Sequence, residues 1–416
     1  MNEHQPVKWD PEAVAAVKVT APAGVSLSAF MEMAPAAATV FAGGRIELLD
    51  LLSRRILANT ALRLDPASVA LAFWLRKANL IRMRDRALLR SGEDSVTVPA
   101  GRVFHIAPAN VDTLFVYSWA LSFLCGNRNV VRLSTRTEGV VTVLVGVIDD
   151  LMMSAPLLAE TNAFVQYERS DEINGALSLW CDHRIVWGGD GTVDALRRVP
   201  MNPHASERAF ASKYSWCVIK ATAWLEADDA QRDALAERFY NDVFWFDQKA
   251  CSSPHAVFWT GPVEECRCAA DGFDALLAAT VARKAPVADA SVAVQRRNRA
   301  FSLAVHPGVS FAPAQAGFTS VFLSDSAALD RETCGGGFIA HTAAASLSEV
   351  AGFVCAEDQT VTHFGFSTEE LREFAAAAGA RGLDRIVPVG QALDFSPEWD
   401  GYNLFQDFVR TVTVRS

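Results

Sequence analysis

A chain of 416 residues is too long for one ordinary core, so two or three domains are expected. It is 50% hydrophobic, 10% aromatic and 21% charged, which excludes a disordered protein. The formal net charge of -10, with no basic stretch interleaved with aromatics, argues against a nucleic-acid surface.

The opening residues, "MNEHQPVKWDPEAV", lack the basic and then apolar regions of a secretory signal. The longest apolar stretch, "TLFVYSWALSFLC", falls short of the roughly 20 residues that cross a bilayer, so no membrane span and a cytoplasmic protein are expected. The cysteines (Cys125, Cys181, Cys217, Cys251, Cys266, Cys268, Cys334 and Cys355) are scattered, which argues against a disulfide framework. Only Cys266 and Cys268 are close, without a second pair at zinc-ligand spacing, so no metal is expected.

In chain order, Asp65 as a cap and Pro66 at the first helical position predict a helix over 65–90. "EDSVTVPAGRVFHIAPAN" alternates and turns at "PAG", the pattern of a hairpin leading into a strand. Strand and helix then alternate: "RVFHIA", a helix from Asp112 to Cys125, "NVVRLS", a helix from Glu138 to Met153, "AFVQYE", a helix near 171–180, "RIVWG" and a helix from Thr192. This order predicts right-handed crossovers and a parallel sheet covered on both faces, an architecture of nucleotide-binding type. After "SWCVIKA" and an acidic-started helix, "HAVFW", "TSVFLS" and "RIVPVG" predict a second α/β domain, and "RTVTVRS" ends the chain as an isolated strand.

Four segments carry candidate chemistry. In "IAPANV", Asn110 is either a turn residue or a side-chain donor to a developing oxyanion at the sheet's carboxyl end. In "GNRNVVRLSTRTE", Arg132 and Arg136 are either solvated charges or cations placed for a ribose or phosphate. "VWGGDGTVDALRR" puts glycines after a strand and opens a helix, where unpaired N–H groups favour an anion; its spacing is not G-x-G-x-x-G, so a plain turn competes. In "FDQKACSSPHAVFW", Cys251 is a candidate nucleophile if it ionises, with Lys249 and His255 near in sequence. Neither G-x-S-x-G nor H-E-x-x-H occurs, which removes serine esterase and zinc peptidase readings.

From about residue 65 to the end, "FHIAPANVDTLFVYSWALSFLCGNRNVVRLS", "IVWGGDGTVDALRRVP", "FYNDVFWFDQKACSSPHAVFWTG" and "DRIVPVGQALDFSPEWDGYNL" occur in the order of, and together resemble, the fatty-acyl-CoA reductase family of the bacterial luminescence system, a branch of the aldehyde dehydrogenase superfamily. The resemblance implies an aldehyde-dehydrogenase-like α/β fold: a Rossmann-like cofactor domain to about 220, a catalytic α/β domain over 221–400, and a small oligomerisation β-sheet from the hairpin near 92–102 and the terminal strand over 401–416. It implies reduction of an acyl thioester, on CoA or a carrier, to an aldehyde through an acyl group on Cys251. Gln248 stands three residues before Cys251 as in the superfamily, and Asn110 matches its oxyanion asparagine. Arg132 falls where a ribose-contacting lysine is usual, and Gly188, Gly189 and Thr192 fall in the loop over the cofactor phosphates. A homodimer or homotetramer is implied, and an acyl-transferring synthetase is a candidate partner.

Two departures from the superfamily matter. The segment that carries a glutamate base in hydrolytic dehydrogenases, here "AFASKYSWCVI", holds no carboxylate, which favours acyl transfer and reduction over hydrolysis. Thr135 replaces the acidic residue that holds the adenosine hydroxyls and is followed by Arg136, which favours NADPH, with NADH the alternative. Competing readings are a CoA-acylating dehydrogenase running in the oxidative direction and a non-catalytic acyl-accepting subunit.

Overall fold

Strands buried on both faces need helices on both sides, and the apolar runs of this chain meet that demand twice. The computed structural model describes residues 9–34, 38–88, 94–108, 110–135, 139–284, 290–311 and 317–415. Two units form, Met1–Ala211 with Tyr402–Ser416, and Ser212–Gly401. The sequence boundary near 220 falls at the end of the strand Tyr214–Lys220, whose hydrogen-bonding neighbours all lie in the second unit.

The first unit's sheet runs in the order Lys18–Ala21, Asn162–Gln166, Arg128–Leu133, Arg102–Ile106, His183–Trp187, Ser206–Phe210. Every neighbouring pair is parallel except the one made by the edge strand Lys18–Ala21. From the central strand Arg102–Ile106 the chain builds outward on one side, then returns to build on the other. That reversal creates a switch point between Arg102–Ile106 and His183–Trp187, the place where open α/β sheets bind ligands at their carboxyl edge.

The helix Leu114–Leu124 is buried from Phe115 onward, so its two serines need partners inside. Ser118 hydrogen-bonds His105 Nδ1 at 3.0 Å and receives Trp187 Nε1 at 3.1 Å. Ser122 donates to Asn129 Oδ1 at 2.6 Å, and His105 Nε2 meets the same oxygen at 3.0 Å. Since that oxygen only accepts, His105 carries its proton on Nε2 and is neutral.

Three local expectations change. The helix over 65–90 is two, Pro66–Trp74 and Lys77–Leu88: Asp65 caps the first as expected, but Asn79 Nδ2 takes the Trp74 carbonyl at 2.7 Å and Asp50 caps Lys77 N at 2.9 Å. The expected hairpin does not form. Arg102–Ile106 has a parallel partner on each side, so Ser95–Pro99 pairs antiparallel with Val409–Thr413 instead. The sharp redirection occurs at Gly101, where φ is +124° and a Cβ would stand 2.4 Å from Asp182 Oδ2. Finally, the helix expected from Thr192 spans Asp190–Arg197, with Gly189 as its cap.

The second unit's sheet runs Val309–Phe311, Thr319–Leu323, Phe338–Ala344, Pro254–Thr260, Tyr214–Lys220, Asp358–Phe364, Arg385–Pro388, antiparallel only at the first pair. Trp259 Nε1, which only donates, reaches His341 Nδ1 at 3.0 Å, so His341 donates from Nε2 to Asp274 at 3.0 Å.

Burial holds His105 down at about 3 and His183 and His255 at about 4, all below the ordinary 6.5. Unfolded, these imidazoles take up protons below about pH 6.5 that the folded chain refuses. Stability is therefore full above that pH and falls as pH drops, by up to about 1.4 kcal/mol per pH unit for each histidine. Urea unfolding followed from about pH 7 to about pH 5 should show this loss, with a shallower slope in His105→Gln.

Candidate active site

Two backbone reversals build the loop that carries Cys251. The helix Asp229–Phe244 is followed by Asp247 and Gln248 with positive φ of 52° and 60°, which turns the chain back toward the strand Pro254–Thr260. Gln248 anchors the turn. Its Nε2 donates to the carbonyls of Pro254 at 2.9 Å and Phe338 at 2.8 Å, and its Oε1 accepts from Gly337 N at 3.0 Å and Phe338 N at 2.9 Å. Buried and fully paired, Gln248 is a structural clamp beneath the cysteine.

Opposite it, Gly335, Gly336 and Gly337 all have positive φ, and Gly336 N reaches Asp247 O at 2.9 Å. A Cβ on Gly336 would stand 2.1 Å from Val292, and one on Gly337 would stand 2.7 Å from Phe244. The sequence reading passed over this run, although three consecutive glycines are a visible sign of close backbone approach.

Cys125, Cys181, Cys217 and Cys266 are buried, whereas Cys251 is half-buried and opens a turn. Its sulfur accepts a hydrogen bond from Gln359 Nε2 at 3.3 Å, and its carbonyl accepts from Ser215 Oγ at 2.7 Å. Burial pushes the thiol up to about 11, reinforced by the charge of Asp400 and opposed by the Gln359 bond and by Arg385. The residues near it in sequence have other partners: Lys249 pairs with Asp247 at 2.8 Å, and His255 stacks on Tyr214 with ring centroids 5.4 Å apart. Gln359, Asp400 and Ser215 were not found from sequence, because single polar residues at strand ends carry no motif.

The other candidates lie together on the first unit's carboxyl edge. Ile106 stands level with Arg132 on one side and Val186 on the other, so the segments leading to Asn110, Thr135 and Gly188 leave adjacent strands at one edge. Ala107 N bonds Arg132 O at 3.1 Å, and Asn110 follows as an exposed bend. The Arg132 guanidinium lies 4.8 Å over the Tyr167 ring, and among the described residues its buried Nε has no partner. Thr135 is exposed, and Arg136 lies outside the described residues.

At the helix start, Thr192 N bonds Gly189 O at 2.8 Å, and no side chain caps the helix. A Cβ on Gly188 would meet the Thr192 Cβ at 3.1 Å, so glycine keeps this turn tight. Asp190 places a carboxylate in the first helical turn, which opposes the dipole's pull on an anion there.

A family model described as acyl-CoA reductase (LuxC) matches residues 82–411. The chain belongs to the LuxC family. Its sequence is 26% identical over 167 residues to the long-chain acyl-protein thioester reductase of Aliivibrio fischeri, covering 39% of this chain and 33% of that one. It is 21% identical over 165 residues to the same-named protein of Photorhabdus laumondii, covering 39% of this chain and 32% of that one. These matches therefore take in about a third of the relatives' length. The fold resembles an oxidoreductase from Marinobacter aquaeolei, with TM-score 0.66, 15% identity, and 98% and 96% of the two chains covered. It also resembles the NAD-dependent aldehyde dehydrogenase of Sinorhizobium meliloti, with TM-score 0.64, 14% identity, and 96% and 85% covered. The LuxC-family chain thus has the aldehyde-dehydrogenase-like α/β fold.

Within this LuxC-family framework, Gln248→Leu removes a clamp whose four bonded backbone groups would be left buried. It should destabilise the chain by about 3 kcal/mol or more, read as a lowered urea midpoint. Gln248→Glu should be similarly damaging, since a carboxylate cannot donate to the Pro254 and Phe338 carbonyls.

Proposed function

We propose that the chain reduces an acyl thioester to an aldehyde through a covalent acyl group on Cys251. The observation that carries this reading is a half-buried cysteine, in a LuxC-family chain, whose sulfur is held by a neutral amide donor. The thiolate attacks the thioester carbonyl, the Asn110 amide and the Cys251 backbone N–H are assigned to the oxyanion, and the donor thiol leaves. Each such donor contributes about 10²- to 10³-fold in rate. The absence of a carboxylate from 209–219 supports a thioester that persists for reduction and is not lost to water.

A nicotinamide cofactor, when bound, supplies the hydride that reduces the acyl group. The switch-point edge fits such a group: Gly188 and Thr192 form a tight turn before an uncapped helix, and the orphaned Arg132 Nε lies on the adjacent strand. Asp190 weakens the helix end as a phosphate site, so Arg132, with Thr135 and Arg136 beyond it, is assigned the adenosine end and a preference for NADPH over NADH. The names of the relatives, long-chain acyl-protein thioester reductases, support a protein-bound acyl donor alongside acyl-CoA; an acyl-transferring synthetase as partner is part of the proposal.

The two-stranded sheet of Ser95–Pro99 and Val409–Thr413 exposes Val96 and Val412. A pair of strands is marginal alone in water, which supports a homodimer or homotetramer that covers it. No helix among the described residues is long and apolar enough to cross a membrane, and a cytoplasmic setting is part of the proposal.

Cys251→Ala should abolish both the mass adduct formed with long-chain acyl-CoA and the aldehyde. Aldehyde at the wild-type rate would sink the reading, and an adduct without any hydride consumption would favour the acyl-accepting subunit. Arg136→Ala should raise the KM for NADPH about tenfold and that for NADH much less, whereas Arg132→Ala should raise both; equal effects in Arg136→Ala would remove the NADPH assignment.

A further inference from the structure

Cys251 has an unusual set of partners, and two strand irregularities produce it. Along the pairing of Asp358–Phe364 with Tyr214–Lys220, Asp358 faces Tyr214 and Val361 faces Trp216, so one extra residue is inserted at Gln359 and Thr360. Along the pairing of Tyr214–Lys220 with Pro254–Thr260, Ser215 faces Pro254 and Cys217 faces Val257, again with one extra residue. Bulges re-aim side chains. Ser215 sits against both: its hydroxyl accepts from Thr360 N at 3.1 Å and donates to Cys251 O at 2.7 Å, tying the two bulged strands at the cysteine.

The fully buried Gln359 side chain is pinned at both ends. Oε1 accepts from Thr360 Oγ1 at 3.3 Å, and the amide nitrogen donates to Cys251 Sγ at 3.3 Å and to Asp400 Oδ1. An amide NH₂ has two protons and no acceptor, so one goes to the carboxylate and the other to the sulfur. Asp400 is held in a backbone with φ of +49° and is 7% exposed. The groups facing the thiol are Asp400 and Arg385; those facing Asp400 are Lys213, Asp384 and Arg385. Arg385 stacks 4.7 Å over Trp399 and spends its guanidinium on the carbonyls of Gln391, Ala392 and Asp394.

We propose that Gln359 is a catalytic residue, donating to the Cys251 sulfur whenever it carries negative charge, and that Asp400 is the positioning residue that aims the amide. The inference rests on the acyl-transfer reading of Cys251. In acylation the Cys251 proton is lost, the sulfur–carbonyl bond forms, and the donor's carbon–sulfur bond breaks; the donor leaves as a thiol, so protons balance. In reduction one hydride from reduced nicotinamide adds to the acyl carbon, the aldehyde forms as the carbon–sulfur bond breaks, and its electron pair leaves with Cys251 as thiolate, which a proton afterwards returns to thiol. The sulfur is negative at the start and at the end, and neutral as thioester between them. A donor on the sulfur assists ionisation and final departure without holding the intermediate back. Asp400 gives the amide a charged acceptor, which strengthens its aim, while its own negative charge opposes thiolate formation.

Iodoacetamide labelling of Cys251 in the full chain, resolved by peptide mass and followed against pH, reads thiolate formation without any turnover. Gln359→Met keeps the length of the side chain but cannot donate. Its labelling midpoint should rise by about one pH unit, a roughly tenfold slower reaction at neutral pH, with acylation slowed at least as much. Asp400→Asn keeps an acceptor oxygen for the amide and loses the charge, so its midpoint should fall. That opposite shift is one a merely structural role would not produce, and it carries the test if Gln359→Met does not fold. An unchanged midpoint in Gln359→Met, or an unchanged or raised one in Asp400→Asn, overturns the proposal. If the midpoints shift as expected but no variant, nor the unaltered chain, makes aldehyde, the reduction reading fails while the thiolate assignment stands.

Discussion

A thiol withdrawn from water resists ionisation, and much of the second unit's detail answers that constraint. Burial and a nearby carboxylate push Cys251 up, while the Gln359 amide, the Arg385 charge and a backbone hydrogen bond push it down. The amide reaches the sulfur because a bulge inserts one residue into its strand, and the cysteine turn is in place because a second bulge does the same across Ser215. Remove either irregularity and the side-chain period of two would turn these residues to other faces.

The loop beneath the sulfur is fixed by polar groups, although its surroundings are apolar. Gln248 satisfies four backbone groups where Phe338–Ala344 and Pro254–Thr260 begin, and Ser253 Oγ bonds Asp242 O at 2.8 Å. The Asp242 carboxylate then accepts from Gly390 N and Ala392 N, next to the segment whose carbonyls hold Arg385. The helix Asp229–Phe244 thereby ties the cysteine turn to the Arg385 turn. Burial pushes Asp242 up to about 7, the cost of placing a carboxyl where backbone N–H groups from a turn must be met.

The alternation of strands with helices and the parallel sheets were legible because runs such as Arg102–Ile106 and Pro254–Thr260 are largely apolar and β-branched or aromatic, bounded by turn residues. Partner choice was not legible from the local pattern, although the resemblance grouped Ser95–Pro99 with the terminal strand that it pairs with. "SVTVPAGRVFHI" reads as a hairpin locally, yet its two strands pair with residues far along the chain, because the central position of Arg102–Ile106 leaves it no free edge. At the site, Cys251 and the switch-point glycines stood out by residue type and company. Gln359 and Asp400 did not: they lie 108 and 149 positions beyond the cysteine, and the bulge that brings Gln359 to it leaves no mark in the sequence.

The segment over 209–219 lacks a carboxylate, but Asp400 supplies one near the sulfur by another route. Pushed up to about 6, it has the basicity that water activation calls for. Basicity alone does not make a hydrolytic base, since the lone pair must be free to take a proton from an attacking water. Asp400 Oδ1 already accepts from Gln359, and the nitrogen that donates to it is the one that donates to the sulfur. The bond through Oδ1 therefore ties the aim of the amide on Cys251 to this carboxylate. The same carboxylate thus acts on the sulfur in two opposed ways, raising it through its charge and aiming at it the amide that lowers it.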